Sequence, residues 1–268
     1  DDGKEFIEGL AGLWCVSLGF NEPRLVDAAT KQLRELPYYH TFAHKTAPPV
    51  IDLAEKLVGI APEGLGKAVF QNSGSEAIDT AIKFIWYYHN AIGKPEKKKI
   101  IARENAYHGT GIASASLTGL ARMHMAFDLP VTDRVLRTDC PHFFKYGEEG
   151  ETEEVFATRC ANNLEKLIQD EGPDTVAAFF AEPVMGAGGV IVPAATYFEK
   201  IQKVLREYNV LMVADEVICG FGRTGNMWGS QTFNIKPDLL TCAKALSSSY
   251  LPISALLISD DLYAPIRD

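Results

Sequence analysis

Apolar residues fall along this chain in two patterns: short continuous runs, and longer stretches in which apolar side chains recur every three or four positions. The runs Ala68-Val69-Phe70, Lys99-Ile100-Ile101-Ala102, Thr175 to Ala181, Val210 to Ala214, Leu239 to Cys242 and Ser254 to Ser259 predict buried strands. The spaced stretches predict helices over Ser75 to Asn90, Glu153 to Gln169 and Thr196 to Tyr208. Two more helices are expected before the first strand. One opens at Asn21-Glu22-Pro23, where proline suits the first helical position, and turns Leu25, Val26, Ala29, Leu33 and Leu36 to one face. The other covers Val50 to Val58. Continuous apolar strands separated by helices imply an α/β fold, a mostly parallel sheet with helices on both faces. Ligands of such sheets lie at the carboxyl ends of the strands, so the loops there are where chemistry is sought. The segment 130–152, with Pro130, Pro141, Gly147, Gly150 and many charges, is expected to be a long excursion within the domain.

Composition removes some classes of function. Over 268 residues the chain is 47% hydrophobic and 23% charged, ordinary globular usage. A net charge of -9 leaves no basic surface for phosphates, which argues against a nucleic-acid partner. The one basic run, Lys97-Lys98-Lys99, precedes an apolar stretch and is expected to be a solvated strand entrance. The five cysteines (Cys15, Cys140, Cys160, Cys219, Cys242) form no C-x-x-C pair and suit buried thiols in a reducing compartment. No stretch approaches the roughly 18 continuous apolar residues of a membrane helix, so no membrane partner is expected. The chain opens without a methionine, and no signal peptide is expected from its first residues. Cytoplasm is the default location, although a mitochondrial protein that had lost a presequence would read the same.

Acids and amines at strand ends carry the candidate chemistry. Val210 to Ala214 runs directly into Asp215-Glu216, and burying an acid there is costly unless something satisfies it. Asp215 reads either as a turn cap or as a counter-ion for a protonated ligand nitrogen. The run Leu239 to Ala243 ends in Lys244, which reads as a snorkelling surface chain or, if desolvated, as a nucleophilic amine. Gln71-Asn72-Ser73-Gly74-Ser75-Glu76 joins a strand to a helix, whose free amides and dipole favour an anion; a plain Ser75 N-cap explains it equally well. Tyr107-His108-Gly109 could stack on a flat ring, and Glu182-Pro183 adds a second carboxylate at the same edge.

Two patterns are decoys. Gly220-Phe221-Gly222-Arg223-Thr224-Gly225 matches G-x-G-x-x-G in letters, but it neither closes a strand nor opens a helix, so a nicotinamide site is not expected. His40 and His44 have helical metal-ligand spacing, yet Pro37 and Pro48-Pro49 flank them, and no metal site is expected.

Taken in order, Ser73-Gly74-Ser75-Glu76-Ala77, Tyr107-His108-Gly109, Glu182-Pro183-Val184, Asp215-Glu216-Val217 with Gly220 to Gly225, and Ala243-Lys244-Ala245-Leu246 resemble the class III (omega-type) aminotransferases of pyridoxal-5'-phosphate (PLP) fold type I. The match spans nearly the whole chain. The resemblance implies that Lys244 forms the Schiff base and later shuttles a proton, while Asp215 pairs with the pyridinium nitrogen. It implies that Val217 and Tyr107, with its neighbour His108, flank the ring, that Gly74 and Ser75 bind the phosphate, and that Glu182 sits near the ring hydroxyl. Leu13-Trp14-Cys15 and Tyr38 to Phe42 look most like the pyruvate-linked omega-transaminases, which implies Trp14 and Phe42 as substrate-pocket residues. Small-molecule amines and keto acids are then the expected substrates, and a homodimer with a shared site the expected assembly. Family members continue well past the Schiff-base lysine. The expected organisation is therefore an N-terminal segment over 1–60, a PLP-binding large domain over 61–268 and a small domain largely missing, in a chain truncated at both ends. Rival readings keep the fold but change the reaction to an aminomutase or decarboxylase, or leave an inactive fragment.

Overall fold

The apolar runs pair into one seven-stranded sheet in a computed structural model that describes residues 2–130 and 133–267. The strands are β1 (Leu65–Gln71), β2 (Lys99–Arg103), β3 (Val135–Thr138), β4 (Val176–Ala181), β5 (Leu211–Asp215), β6 (Leu239–Cys242) and β7 (Ser254–Ser259), in spatial order β1-β7-β6-β5-β4-β2-β3. From β3 through β6 all neighbours are parallel, and β7 lies antiparallel between β6 and β1. The β6–β7 connection carries no helix long enough for a crossover, so β7 can only return antiparallel. Its start therefore joins the edge where the parallel strands, and β1, end.

The helices are α1 (Ala11–Trp14), α2 (Pro23–Glu35), α3 (Pro48–Ile60), α4 (Gly74–Ala91), α5 (Ile112–Leu117), α6 (Phe143–Tyr146), α7 (Glu153–Glu171), α8 (Tyr197–Glu207), α9 (Gly229–Thr232) and α10 (Asp260–Tyr263). Alternate strand residues feed two cores. Ile101, Phe179 and Met212 pack with Phe156, Leu164, Phe198 and Ile201 of α7 and α8. Ile100, Phe180 and Val213 pack with Ile78, Ala81 and Ile85 of α4 on the other face. The period-two alternation of adjacent bulky residues is what lets one strand serve both layers. This is the mostly parallel sheet, covered on both faces, that the apolar runs predict.

Two local expectations are corrected. The excursion 130–152 contains the edge strand β3, whose Val135 and Leu136 are only half-buried, so its apolar signal is short. Lys97 is 1% exposed rather than solvated. Its ammonium donates to Val176 O (3.1 Å), Tyr208 O (3.1 Å) and Asn209 O (2.9 Å), three carbonyls at the end of α8 and the start of β4 that satisfy a buried cation. The apolar face of α2 is left largely open among the described residues: Leu25 and Ala29 are half-buried, and Val26, Leu33 and Leu36 are exposed.

Candidate active site

Asp215 closes β5 with its side chain 4% exposed. Its register partner on β6, Thr241, donates a hydroxyl hydrogen bond to Oδ1 at 3.2 Å, and the Val217 amide reaches the same oxygen at 3.1 Å. Oδ2 accepts from His108 Nδ1 at 2.7 Å; a carboxylate offers only lone pairs, so the ring nitrogen carries the proton. These three donors offset the cost of burying the acid. They also fix one orientation of the carboxylate.

Lys244 follows the end of β6 at a φ of 44°, in the left-handed region that non-glycine residues avoid. Backbone bonds hold the turn: Leu246 N to Ala243 O at 2.9 Å and Ser249 N to Lys244 O at 3.2 Å. The half-buried Lys244 side chain makes no hydrogen bond or ion pair among the described residues.

At the end of β1, Ser73 caps α4 by accepting from the Glu76 amide at 3.2 Å, so the cap is Ser73 and not Ser75. Ser75 is freed to accept the Thr110 amide at 3.0 Å. A methyl on Gly74 would stand 3.2–3.3 Å from both Val217 methyls, so a larger residue would crowd the backbone there. Glu182, 3% exposed, accepts from the Tyr107 amide (3.1 Å) and the Gly186 amide (2.9 Å), while its own carbonyl accepts from the buried Arg103 at 2.5 Å. Burial, with the Asp215 charge adding to it, pushes the Glu182 carboxyl above the usual range.

These side chains surround one cavity of about 370 Å³. Gly74, Ser75, Tyr107, His108, Glu182, Asp215, Val217 and Lys244 all line it. They come from four different strand ends and the helix that follows β1, which places the cavity at the carboxyl edge of the sheet.

The aminotransferase class-III family profile matches residues 1–267. The chain belongs to the class III aminotransferases. Gamma aminobutyrate transaminase 3, chloroplastic, of Solanum lycopersicum is 59% identical over 262 residues, 97% of this chain and 50% of that protein. Vanillin aminotransferase of Capsicum frutescens is 56% identical over 266 residues, 99% of this chain and 58% of that one. Among solved structures, the omega transaminase of Pseudomonas jessenii in complex with PMP superposes with a TM-score of 0.98 at 56% identity, over 100% of this chain and 59% of that one. An omega transaminase engineered at a tryptophan, a phenylalanine and an arginine for synthesis of bulky amines gives the same TM-score and identity. The chain spans about half the length of the curated relatives it matches.

Trp14 and Phe42 are not among the residues that line the cavity. Trp14 is half-buried in a turn of positive φ, and its carbonyl accepts from Arg223 at 3.1 Å; Phe42 is 79% exposed. Gly220 to Gly225 forms turns, as its context predicts. His40 stacks on Tyr39 off any helix. Among the described residues no metal-ligand cluster occurs, and no helix is long and apolar enough to cross a membrane. Sequence reasoning missed the wall formed by Ser247, Ser249, Leu251, Pro252 and Ile253, together with Ile218. Ile218 follows β5 and the others lie in the connection that returns the chain to β7, and no local pattern signals that they meet at the cavity.

Proposed function

We propose that this aminotransferase binds PLP in the 370 Å³ cavity and transfers an amino group from an amine or omega-amino acid to a keto acid such as pyruvate, by a ping-pong route. The observation that carries the reading is the meeting of Lys244 and a triply held Asp215 in one cavity. The donor set suits the cofactor. Asp215 is a fixed acceptor for a pyridine N–H, the start of α4 with Gly74 and Ser75 suits a phosphate, and Val217 and Tyr107 suit the two faces of a flat ring. His108 Nε2 is buried without a hydrogen-bond partner among the described residues.

When bound, PLP supplies an electron sink for charge developing at the substrate carbon. Lys244 would hold the cofactor through its amine, and Nζ, once free, would move a proton at the substrate carbon. Asp215 would pair with the ring nitrogen. Glu182, whose oxygens both accept backbone amides, braces the Tyr107 and Gly186 loops and would lie near the ring hydroxyl.

Trp14 and Phe42 belong to the substrate pocket of the assembled protein in this reading. They stand 28 positions apart, the separation of the tryptophan and phenylalanine altered in the engineered relative. Exposed Phe6, Ile7, Leu13, Phe20 and Phe42, with the open face of α2, support burial against further chain or a second subunit, and a homodimer is proposed. Residues 1–60 then form the N-terminal segment and 61–268 the PLP-binding domain. Close relatives named as mitochondrial and chloroplastic make an organelle as good a location as the cytoplasm.

Borohydride reduction of the intact protein with PLP, followed by peptide mass spectrometry, tests the site. A single pyridoxyl adduct on Lys244 is expected; adducts scattered over surface lysines would overturn the assignment. Product analysis separates transfer of the amine between two molecules from an aminomutase or decarboxylase reaction.

A further inference from the structure

The loop carrying Tyr107 and His108 is held by side chains rather than by the sheet. The Tyr107 amide donates to Glu182 Oε1, the His108 amide to Thr118 Oγ1 at 3.0 Å, and the Thr110 amide to Ser75 Oγ. Glu182 and Ser75 line the cavity; Thr118 does not. It is fully buried just after α5 and set from several sides. Its amide donates to Ser114 O at 3.1 Å, and its carbonyl accepts from Arg137 Nη2 at 2.8 Å. The next amide, Gly119 N, donates to Ala106 O at 2.8 Å, tying the turn to the end of β2. The hydroxyl proton goes to Ser114 O (3.3 Å) or Gly109 O (3.4 Å), which leaves lone pairs for the His108 amide.

Oxygen by oxygen, Asp215 is unequally held. Thr241 and Val217 both reach Oδ1, whereas among the described residues Oδ2 is held by His108 alone. The seating of the Oδ2 end of the carboxylate therefore depends on where the His108 ring sits. That ring, packed edge-on against Phe180 at 6.2 Å, is in turn placed by its backbone.

We infer that Thr118 is a positioning residue: its hydroxyl anchors the His108 backbone, seats Nδ1 on Asp215 Oδ2, and so fixes the acid that meets the cofactor's ring nitrogen. The last clause rests on the PLP reading above; the seating of His108 does not. Thr118→Val keeps the side-chain shape but leaves a buried N–H without an acceptor. Movement of the loop relieves that cost and carries the ring off Oδ2.

The test uses the intact protein with ¹⁵N-labelled histidine, before any cofactor is added. Wild type is expected to show a downfield Nδ1–H resonance, assigned by its loss in His108→Gln. Thr118→Val should lose or broaden it and Thr118→Ser should keep it, a rescue that general loss of packing would not give. If Thr118→Val does not fold by far-UV circular dichroism, Thr118→Ala removes the same hydroxyl and gives the same readout. An unchanged resonance in a folded hydroxyl-less variant overturns the role. PLP titration follows separately, with affinity expected about tenfold weaker in Thr118→Val and near wild type in Thr118→Ser. A wild type that shows the expected resonances but binds no PLP would overturn the cofactor reading and leave the seating of His108 standing.

Discussion

Single residues here carry burdens set by their surroundings. Lys244 was legible as an amine at a strand end, but its positive φ was not, because the backbone bonds that hold its turn form only in the folded loop. Replacing Lys244 with Ala should lower turnover of the intact enzyme by about 10²–10⁴-fold or more; near-normal rates in a coupled alanine assay would refute its role. His89 is a second case, far from the cavity. It is 2% exposed, donates from Nε2 to Ala177 O at 3.3 Å and leaves Nδ1 unpartnered. Burial, with Lys97, Lys98 and Lys94 nearby, lowers its pKa from 6.5 to about 4. Below pH 6.5 the unfolded chain takes up a proton that the folded chain refuses until about pH 4. Stability should thus fall as pH drops through that window, by roughly 2–3 kcal/mol. Urea midpoints between pH 4.5 and 7 check this, and His89→Gln should flatten the trend; an equal slope in the variant would rule His89 out.

At the scale of elements, the long amphipathic helices announce themselves, while their ends and the short strands do not. Ile201 and Leu205 of α8 are 1% and 2% exposed, as the three-and-four spacing predicts. The junction from α8 to β5 depends instead on Lys97, in a run that reads as solvated. No rule of spacing reveals that three carbonyls from α8 and β4 converge on its ammonium. Lys97→Met should cost about 1–3 kcal/mol, since it orphans buried acceptors, and Lys97→Arg should cost less if the longer donor group reaches them. Denaturant titration monitored by tryptophan fluorescence measures both. A Met variant as stable as wild type would make the lysine a bystander. Strand β3 escaped detection because an edge strand buries little, and its Arg137 faces the α5 carbonyls.

Across the whole molecule, a ligand that prefers the folded state raises its stability. PLP at about 100-fold above its Kd should stabilise the intact protein by about 2.7 kcal/mol, a rise of a few degrees in Tm. A Tm indifferent to PLP would count against the cavity as its site. The sequence alone determined the layered α/β plan, because strand and helix periods are properties of neighbours along the chain. It also carried the order of the strand-end motifs on which the family resemblance rests. The tertiary structure alone decided that β7 returns antiparallel, that residues of the β6–β7 connection help close the cavity, and that His108 donates to Asp215. It also decided that Thr118 stands behind them and that Trp14 and Phe42 lie away from this cavity. The physical reason is the same throughout. Periodicity records which face of an element is buried, whereas a hydrogen bond between residues 107 positions apart, such as His108 to Asp215, exists only once the sheet has brought the two loops to one edge.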